Sequence, residues 1–202
     1  MKIILASQSP RRKEMVDELL SKYEMDFEVE PSDVSEEELK ETITEPDKLV
    51  EELSFIKASN IYEKHKEDGN DLVIIGADTI VNFENQILGK PKTVEEAKEM
   101  LTMLQGTFND VYTGMTVIIK KGTLETMFKV NTVSRVYMKK MSENDILEYI
   151  ETEDPLDKAG SYAIQGLGSK YIEKYEGDYN TVVGLDTGKL EKILKVNRIL
   201  EI

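Results

Sequence analysis

Lys2-Ile3-Ile4-Leu5-Ala6-Ser7-Gln8-Ser9-Pro10-Arg11-Arg12 opens the chain with an apolar run followed by a sharp change of character. The first five residues read as a strand. Ser9 suits an N-cap and Pro10 a first helical turn, so a helix is expected to start there and to carry Met15, Val16, Leu19 and Leu20 inward. The two arginines are out of place in that helix. A helix N-terminus already carries positive partial charge, and each added cation costs roughly a few tenths of a kcal/mol unless an anion is bound. A strand, a hydroxyl-bearing loop and a helix start with paired guanidiniums make a phosphate cradle. The competing reading sends both guanidiniums into water.

The same alternation continues outward from this stretch. Asp26 to Glu30 alternates as a strand and Pro31 to Glu38 reads as an acidic loop. Pro46 opens a longer helix with Leu49, Leu53, Ile56 and Asn60 along one stripe and Lys57 at its edge. Leu72-Val73-Ile74-Ile75-Gly76 reads as a central buried strand; Ala77-Asp78-Thr79 follows it, and Ile80-Val81 resume a strand. Thr93 with Glu96 forms a capping-box pattern for a helix bearing Ala97, Met100, Leu101 and Leu104, ended by Gly106. Asp110 to Lys120 and Thr126 to Lys139 read as long strands. Ser142 and Asp145 cap a helix through Ile146, Leu147 and Ile150; Tyr171 to Tyr175 reads as a last strand, and Leu190, Ile193 and Leu194 mark a final helix. Interleaved helices and strands make this an α/β chain, and two adjacent long strands imply a mixed sheet.

Composition narrows the function. The 202 residues suit one α/β domain or at most two small ones, and 40% hydrophobic content supports a real core. With no cysteine, disulfides, thiolate nucleophiles and cysteine-ligated zinc are out. The net charge of −14 argues against extended contact with nucleic acid, but a local basic pocket can still take a small polyanion. The apolar runs are too short to cross a bilayer, and Met1 leads into the first strand without a signal-peptide pattern, so no membrane partner and a cytoplasmic address are expected. His65, the single histidine, stands in a charged stretch that reads as a fraying helix end, so a histidine-based triad is not expected.

Among the remaining candidates, Asp78 has the position of a catalytic carboxylate, just past a buried strand where α/β sheets gather ligands; an Asx turn is the alternative. Lys90, in Leu88-Gly89-Lys90-Pro91, and Lys57 can each deliver a point charge to phosphate or simply be solvated. Glu36 and Asp78 are enough carboxylates for a divalent ion completed by phosphate oxygens and water, although nothing local singles Glu36 out of its acidic run. Asp154 to Gly168 contains three glycines and a proline among polar side chains. Its glycines permit close backbone approach, and Gln165 offers the donor and acceptor that suit a nucleobase edge.

Taken in order, Leu5 to Glu14, Gly76-Ala77-Asp78-Thr79-Ile80-Val81, Leu88 to Pro91 and Asp154 to Gly168 resemble the motifs of Maf proteins, house-cleaning nucleoside triphosphate pyrophosphatases, over nearly the whole chain. The resemblance implies a single domain over residues 1–202. It would have an elongated mixed sheet flanked by helices, a cleft between two lobes, and a fold similar to that of inosine triphosphate pyrophosphatases. It implies hydrolysis of a nucleoside triphosphate to monophosphate and pyrophosphate with Mg²⁺ or Mn²⁺. Asp78 would be the catalytic proton acceptor, Ser9, Arg11, Arg12, Lys57 and Lys90 would hold the triphosphate, and Glu36 with Asp78 would place the metal.

Arg11, Thr79 and Gln165 match the branch favouring dTTP and UTP, with modified pyrimidine nucleotides as further candidates; a sister branch directed at methylated guanine nucleotides has Tyr where Arg11 stands. Alternatives are a pyrophosphatase for another modified nucleotide and a non-catalytic nucleotide-binding regulator of septum formation. A homodimer is compatible with the resemblance. One departure is Asp186, which stands where the family has Pro; it is expected to N-cap the last helix.

Overall fold

The apolar stretches at residues 3–6 and 72–75 form buried strand segments. The computed structural model describes residues 1–200. Strand β1 (Lys2–Ala6) feeds α1 (Pro10–Ser21), then come β2 (Glu28–Val29), α2 (Glu37–Thr42), α3 (Pro46–His65), β3 (Leu72–Phe83) and β4 (Gln86–Leu88). Next are α4 (Val94–Leu104), β5 (Phe108–Lys121), β6 (Leu124–Met138), α5 (Glu143–Glu151), β7 (Ile172–Glu176), α6 (Tyr179–Val183) and α7 (Thr187–Val196). The seven strands run in the order β2-β1-β3-β5-β6-β7, with β4 on β3. The sheet is mixed: β1 is parallel to β2 and β3, whereas β4 is antiparallel to β3 and β7 to β6.

Three local expectations change. The strand at 26–30 shortens to two exposed residues, and the loop at 31–38 gives way to a helix at Glu37. No break falls at 77–79 either. Strand β3 is continuous for 12 residues, so Asp78 is a mid-strand residue and not part of an Asx turn. The polar Asp78-Thr79 pair interrupts the apolar run without interrupting the ladder, because backbone pairing does not depend on side-chain polarity.

The chain divides into two compact units. The first takes Met1–Asp78, Thr113–Thr132 and the segment from Gly184. Its sheet is buried on both faces. Val73, Ile75 and Ala77 of β3 join one cluster with Val16, Leu19 and Leu20 of α1 and Leu190 and Leu194 of α7. Leu72 and Ile74 point the other way, into a cluster with Ala58, Ile61 and Tyr62 of α3. The buried face of α3 is Leu49, Val50, Leu53, Ser54, Ala58, Ile61 and Tyr62, so Ile56 and Asn60 lie beside it.

The second unit takes Thr79–Tyr112 and Val133–Val183. Here Val81, Leu88, Val111, Val136 and Met138 pack on Ala97, Leu101 and Leu104 of α4 and Ile146, Tyr149 and Ile150 of α5. Residues 154–168, expected to be neither helix nor strand, form short 3-10 turns at Asp154–Asp157 and Ala159–Ser161 and enter a third at Gly166–Tyr171. Among the described residues, no helix is long and apolar enough to cross a membrane.

Candidate active site

The end of β1 sets the geometry of the first unit. Its last paired residue, Ala6, lies opposite Gly76 of β3, and β3 continues past that point to Asp78. The chain therefore leaves β1 through Ser7-Gln8-Ser9 at the level along the sheet where β3 carries its carboxylate. This is the carboxyl end of a parallel strand, where open α/β sheets collect ligands.

Glycine explains why Lys57 reaches Asp78. A Cβ at Gly76 would lie 2.8 Å from the Ala58 nitrogen and would also run into the Ser54 carbonyl, so α3 sits directly on the strand there. Two residues further, on the same face, Asp78 meets Lys57, which immediately precedes Ala58 on the helix. The Lys57 ammonium bonds Asp78 and also Glu36 Oε1, the latter at 2.7 Å. Asp78 is 9% exposed, and the Lys57 side chain 15%. A buried carboxylate and a half-buried one thus share one cation, and burial of such charges is favourable only because they are paired.

Glu36 stands at the start of α2, where its second carboxylate oxygen takes the Lys40 ammonium at 2.5 Å. Burial alone would push the Glu36 carboxyl up, but hydrogen bonds and charge from Lys40 and Lys57 outweigh it and hold the pKa at about 2. Lys40 is a partner the sequence reading passed over, though its spacing four residues beyond Glu36 was a signal.

Ser9 N-caps α1, its hydroxyl accepting the Arg12 N–H at 3.4 Å, and Pro10 follows. Arg12 folds back from the helix start. Its Nε donates to the Gly184 carbonyl at 2.8 Å and its Nη1 to the Ser7 hydroxyl at 3.3 Å. Ser7 is buried and also accepts the Ser9 N–H at 3.2 Å, so one hydroxyl ties the loop to the guanidinium. Burial lowers the Arg12 pKa, Asp78 and Glu36 oppose that, and Arg11 reinforces it. Arg12 is therefore within electrostatic reach of both carboxylates, and Arg11 lies close enough to repel it. Seats at Ser7 and Gly184 were not foreseen; the hydroxyls flanking Gln8 were the available clue.

In the second unit, Thr79 directly follows Asp78 in the chain and is half-buried, whereas Lys90, after β4, and Gln165 are exposed. The main chain ties the segments of Lys90 and Gln165 together, since the Gly160 N–H donates to the Gly89 carbonyl at 3.1 Å. His65 is not a fraying end. As the last residue of α3 it places Nδ1 2.8 Å from Asp68 and Nε2 2.6 Å from Glu30. Asp186 caps α7 as expected, accepting the Lys189 N–H at 2.9 Å and the Thr132 hydroxyl at 2.7 Å.

Chemically, the first unit offers two carboxylate oxygens converging on one cation, beside a helix start with two arginines. Hard oxygen donors of this kind suit Mg²⁺ or Mn²⁺. Among the described residues, no group of three or more His, Asp or Glu is placed to hold a metal.

Comparison with known proteins gives the family of the chain. The dTTP/UTP pyrophosphatase of Thermoanaerobacter sp. (strain X514) is 46% identical over 195 residues, spanning 96% of each chain. That of Lachnoclostridium phytofermentans is 44% identical over 197 residues, spanning 96% of this chain and 93% of its own. Among solved structures, a nucleoside-triphosphatase (dITP/XTP pyrophosphatase) from Mycobacterium abscessus covers 98% of this chain and 94% of its own at 12% identity and a TM-score of 0.42, too distant to bear on activity. The family model described as Maf-like protein matches residues 2–197, and with relatives this similar over nearly its full length the chain belongs to the Maf family.

Proposed function

We propose that this protein hydrolyses nucleoside triphosphates, dTTP and UTP foremost, to the monophosphate and pyrophosphate. The observation that carries this reading is the paired cluster of Lys57 with Asp78 and Glu36 within electrostatic reach of Arg12, in a chain 43–46% identical to proteins named dTTP/UTP pyrophosphatases.

In this reading, water attacks the α-phosphorus, the bond to the bridging oxygen of the β-phosphate breaks, and pyrophosphate leaves. Asp78 accepts the proton of the attacking water. Ser9, Arg11, Arg12, Lys57 and Lys90 hold the triphosphate; Ser9 and its helix start contribute backbone N–H groups, and the basic side chains contribute charge. Charge neutralisation of a tetra-anion is the main electrostatic requirement of this reaction, and preorganised cations meet it without reorganisation. Glu36 and Asp78 fit a divalent cation through their converging oxygens, with phosphate oxygens and water completing its shell. When bound, such an ion stabilises the charge on the departing pyrophosphate. Lys57 keeps the two carboxylates together before substrate and cation arrive. Arg11, Thr79 and Gln165 select the base, and residues 1–202 work as one pyrophosphatase domain in the cytoplasm.

Pyrophosphate release from a panel of triphosphates, with Mg²⁺ or Mn²⁺, tests the reading. Release from dTTP and UTP above purine triphosphates is the expected result. Binding of dTTP without cleavage would replace the enzyme with a nucleotide-binding regulator.

A further inference from the structure

The segment from Asp154 to Gly168 carries Gln165 on an exposed stretch, yet the stretch is fastened from beneath by one side chain. Tyr149 of α5 is 1% exposed. Its hydroxyl donates to Asp154 Oδ2 at 2.8 Å and accepts the Ala163 N–H at 3.2 Å. One oxygen therefore joins the two ends of a ten-residue run. Gly168 closes over the same point, where a Cβ would collide with the Tyr149 hydroxyl and the Ala163 backbone. Around this joint, Lys158 bonds the Asp154 carbonyl at 2.8 Å, and the Tyr162 hydroxyl donates to Asn109 at 2.7 Å. Tyr171 packs its ring against Tyr149 at 5.2 Å.

We propose that Tyr149 is a positioning residue that fixes how this segment presents Gln165 and thereby sets the discrimination between nucleobases, an inference that rests on the pyrophosphatase reading. Glycine-rich chain has many conformations, and a hydrogen-bonding side chain can read a base edge only from a fixed position. No strand ladder holds Gln165, which lies between turns. The tyrosine hydroxyl supplies the fixity instead. Burial and the Asp154 carboxylate both push its pKa up, so it stays a donor to Asp154. The Gly160 to Gly89 bond extends the same support to the segment of Lys90.

The test is Tyr149→Phe, which keeps the ring and removes the hydroxyl. Hydrogen exchange should show the Ala163 amide opening faster in the variant. The ratio of kcat/KM for dTTP over dGTP should fall about fivefold to tenfold, the scale of one buried hydrogen bond, while kcat for dTTP stays within about twofold. Gln165→Ala should lower the same ratio, and adding Tyr149→Phe to it should lower it no further. Should Tyr149→Phe fail to fold, Asp154→Asn weakens the same joint and carries the same expectation. Unchanged exchange at Ala163, or faster exchange with an unmoved ratio, overturns the proposal while leaving the enzyme reading intact. A wild-type protein that cleaves no triphosphate sinks the underlying reading, and the proposal with it.

Discussion

The two units treat their candidate functional groups in opposite ways. In the first, Lys57 bonds both the buried Asp78 and the half-buried Glu36, and Arg12 is clamped by a hydroxyl and a carbonyl. In the second, Lys90 and Gln165 are exposed, and order comes from the backbone and a buried tyrosine beneath them. Groups that must act on charge gain strength in a low dielectric but can be placed there only with partners. A group that reads a neutral base edge needs a fixed position more than burial. The comparison predicts that changes at Asp78, Glu36 and Lys57 cost rate, whereas a change at Gln165 costs selectivity.

The sharpest break of that comparison would come from Asp78. Asp78→Asn keeps the shape and removes the base, and kcat for dTTP should fall by about a thousandfold, within the range for general-base removal. Thermal unfolding should show the variant folded. Gln165→Ala should leave kcat nearly intact and change the substrate ranking. If Asp78→Asn keeps wild-type kcat while Gln165→Ala abolishes it, the assignment of charge chemistry to the first unit is wrong.

Next in size is the seat of α3. Besides Gly76, Gly114 of β5 lies under this helix, where a Cβ would be 2.9 Å from the Glu51 nitrogen and would run into the Val50 carbonyl. Backbone cannot yield as a flexible side chain does. Gly76→Ala and Gly114→Ala should each destabilise by about 2 to 3 kcal/mol in urea titrations, the scale of an overpacked core. Gly76→Ala should also lower activity more than Gly114→Ala, because it lifts Lys57 away from Asp78. Equal activity losses would mean that the close approach at Gly76 serves packing alone.

The helices and strands of this fold were largely legible because their causes are local. Ser142 with Asp145 forms the expected capping box, and Leu72 to Ile75 the expected buried strand. Thr93 accepts the Glu96 N–H as its pattern predicts, although Glu96 reaches back to Lys92 instead of closing the box. The site was legible as residue types but not as contacts. In sequence Asp78 reads as the end of a strand because a polar residue after an apolar run resembles a boundary, whereas β3 continues through it. Nothing in the acidic run at 36–38 showed that Glu36 alone would meet Lys57, since that contact is made across 21 residues of chain from α3. Ser7 and Tyr149 escaped notice because a hydroxyl declares its role only through the backbone groups that happen to face it.

Ser7→Ala offers a finer test of the first unit. Removing one hydroxyl leaves Arg12 charged but loosely held, so the triphosphate KM should rise about fivefold, on the scale of a single hydrogen bond, with kcat little changed. Ser7→Thr, which restores the hydroxyl, should recover most of it. A fall in stability with no change in KM would reduce Ser7 to a loop brace.

The smallest effect separates stability from chemistry. Hydrogen bonds donated by the ring to the Asp68 carboxylate and then to that of Glu30 raise the His65 pKa above its ordinary value, partly offset by burial and by Lys2. A group whose pKa is raised on folding contributes its stability below the unfolded pKa, near 6.5, and loses it as pH rises through the folded value. His65→Gln should therefore cost stability near pH 6, and progressively less as the pH rises through the raised pKa of the folded state. The same substitution should leave kcat for dTTP unchanged across that range, because neither His65 nor its two carboxylate partners belongs to the Lys57 cluster. A parallel shift in the pH profile of kcat would tie the end of α3 to the chemistry after all. It would mean that the ion pairs of the first unit act as one coupled network, not as a catalytic cluster beside a structural one.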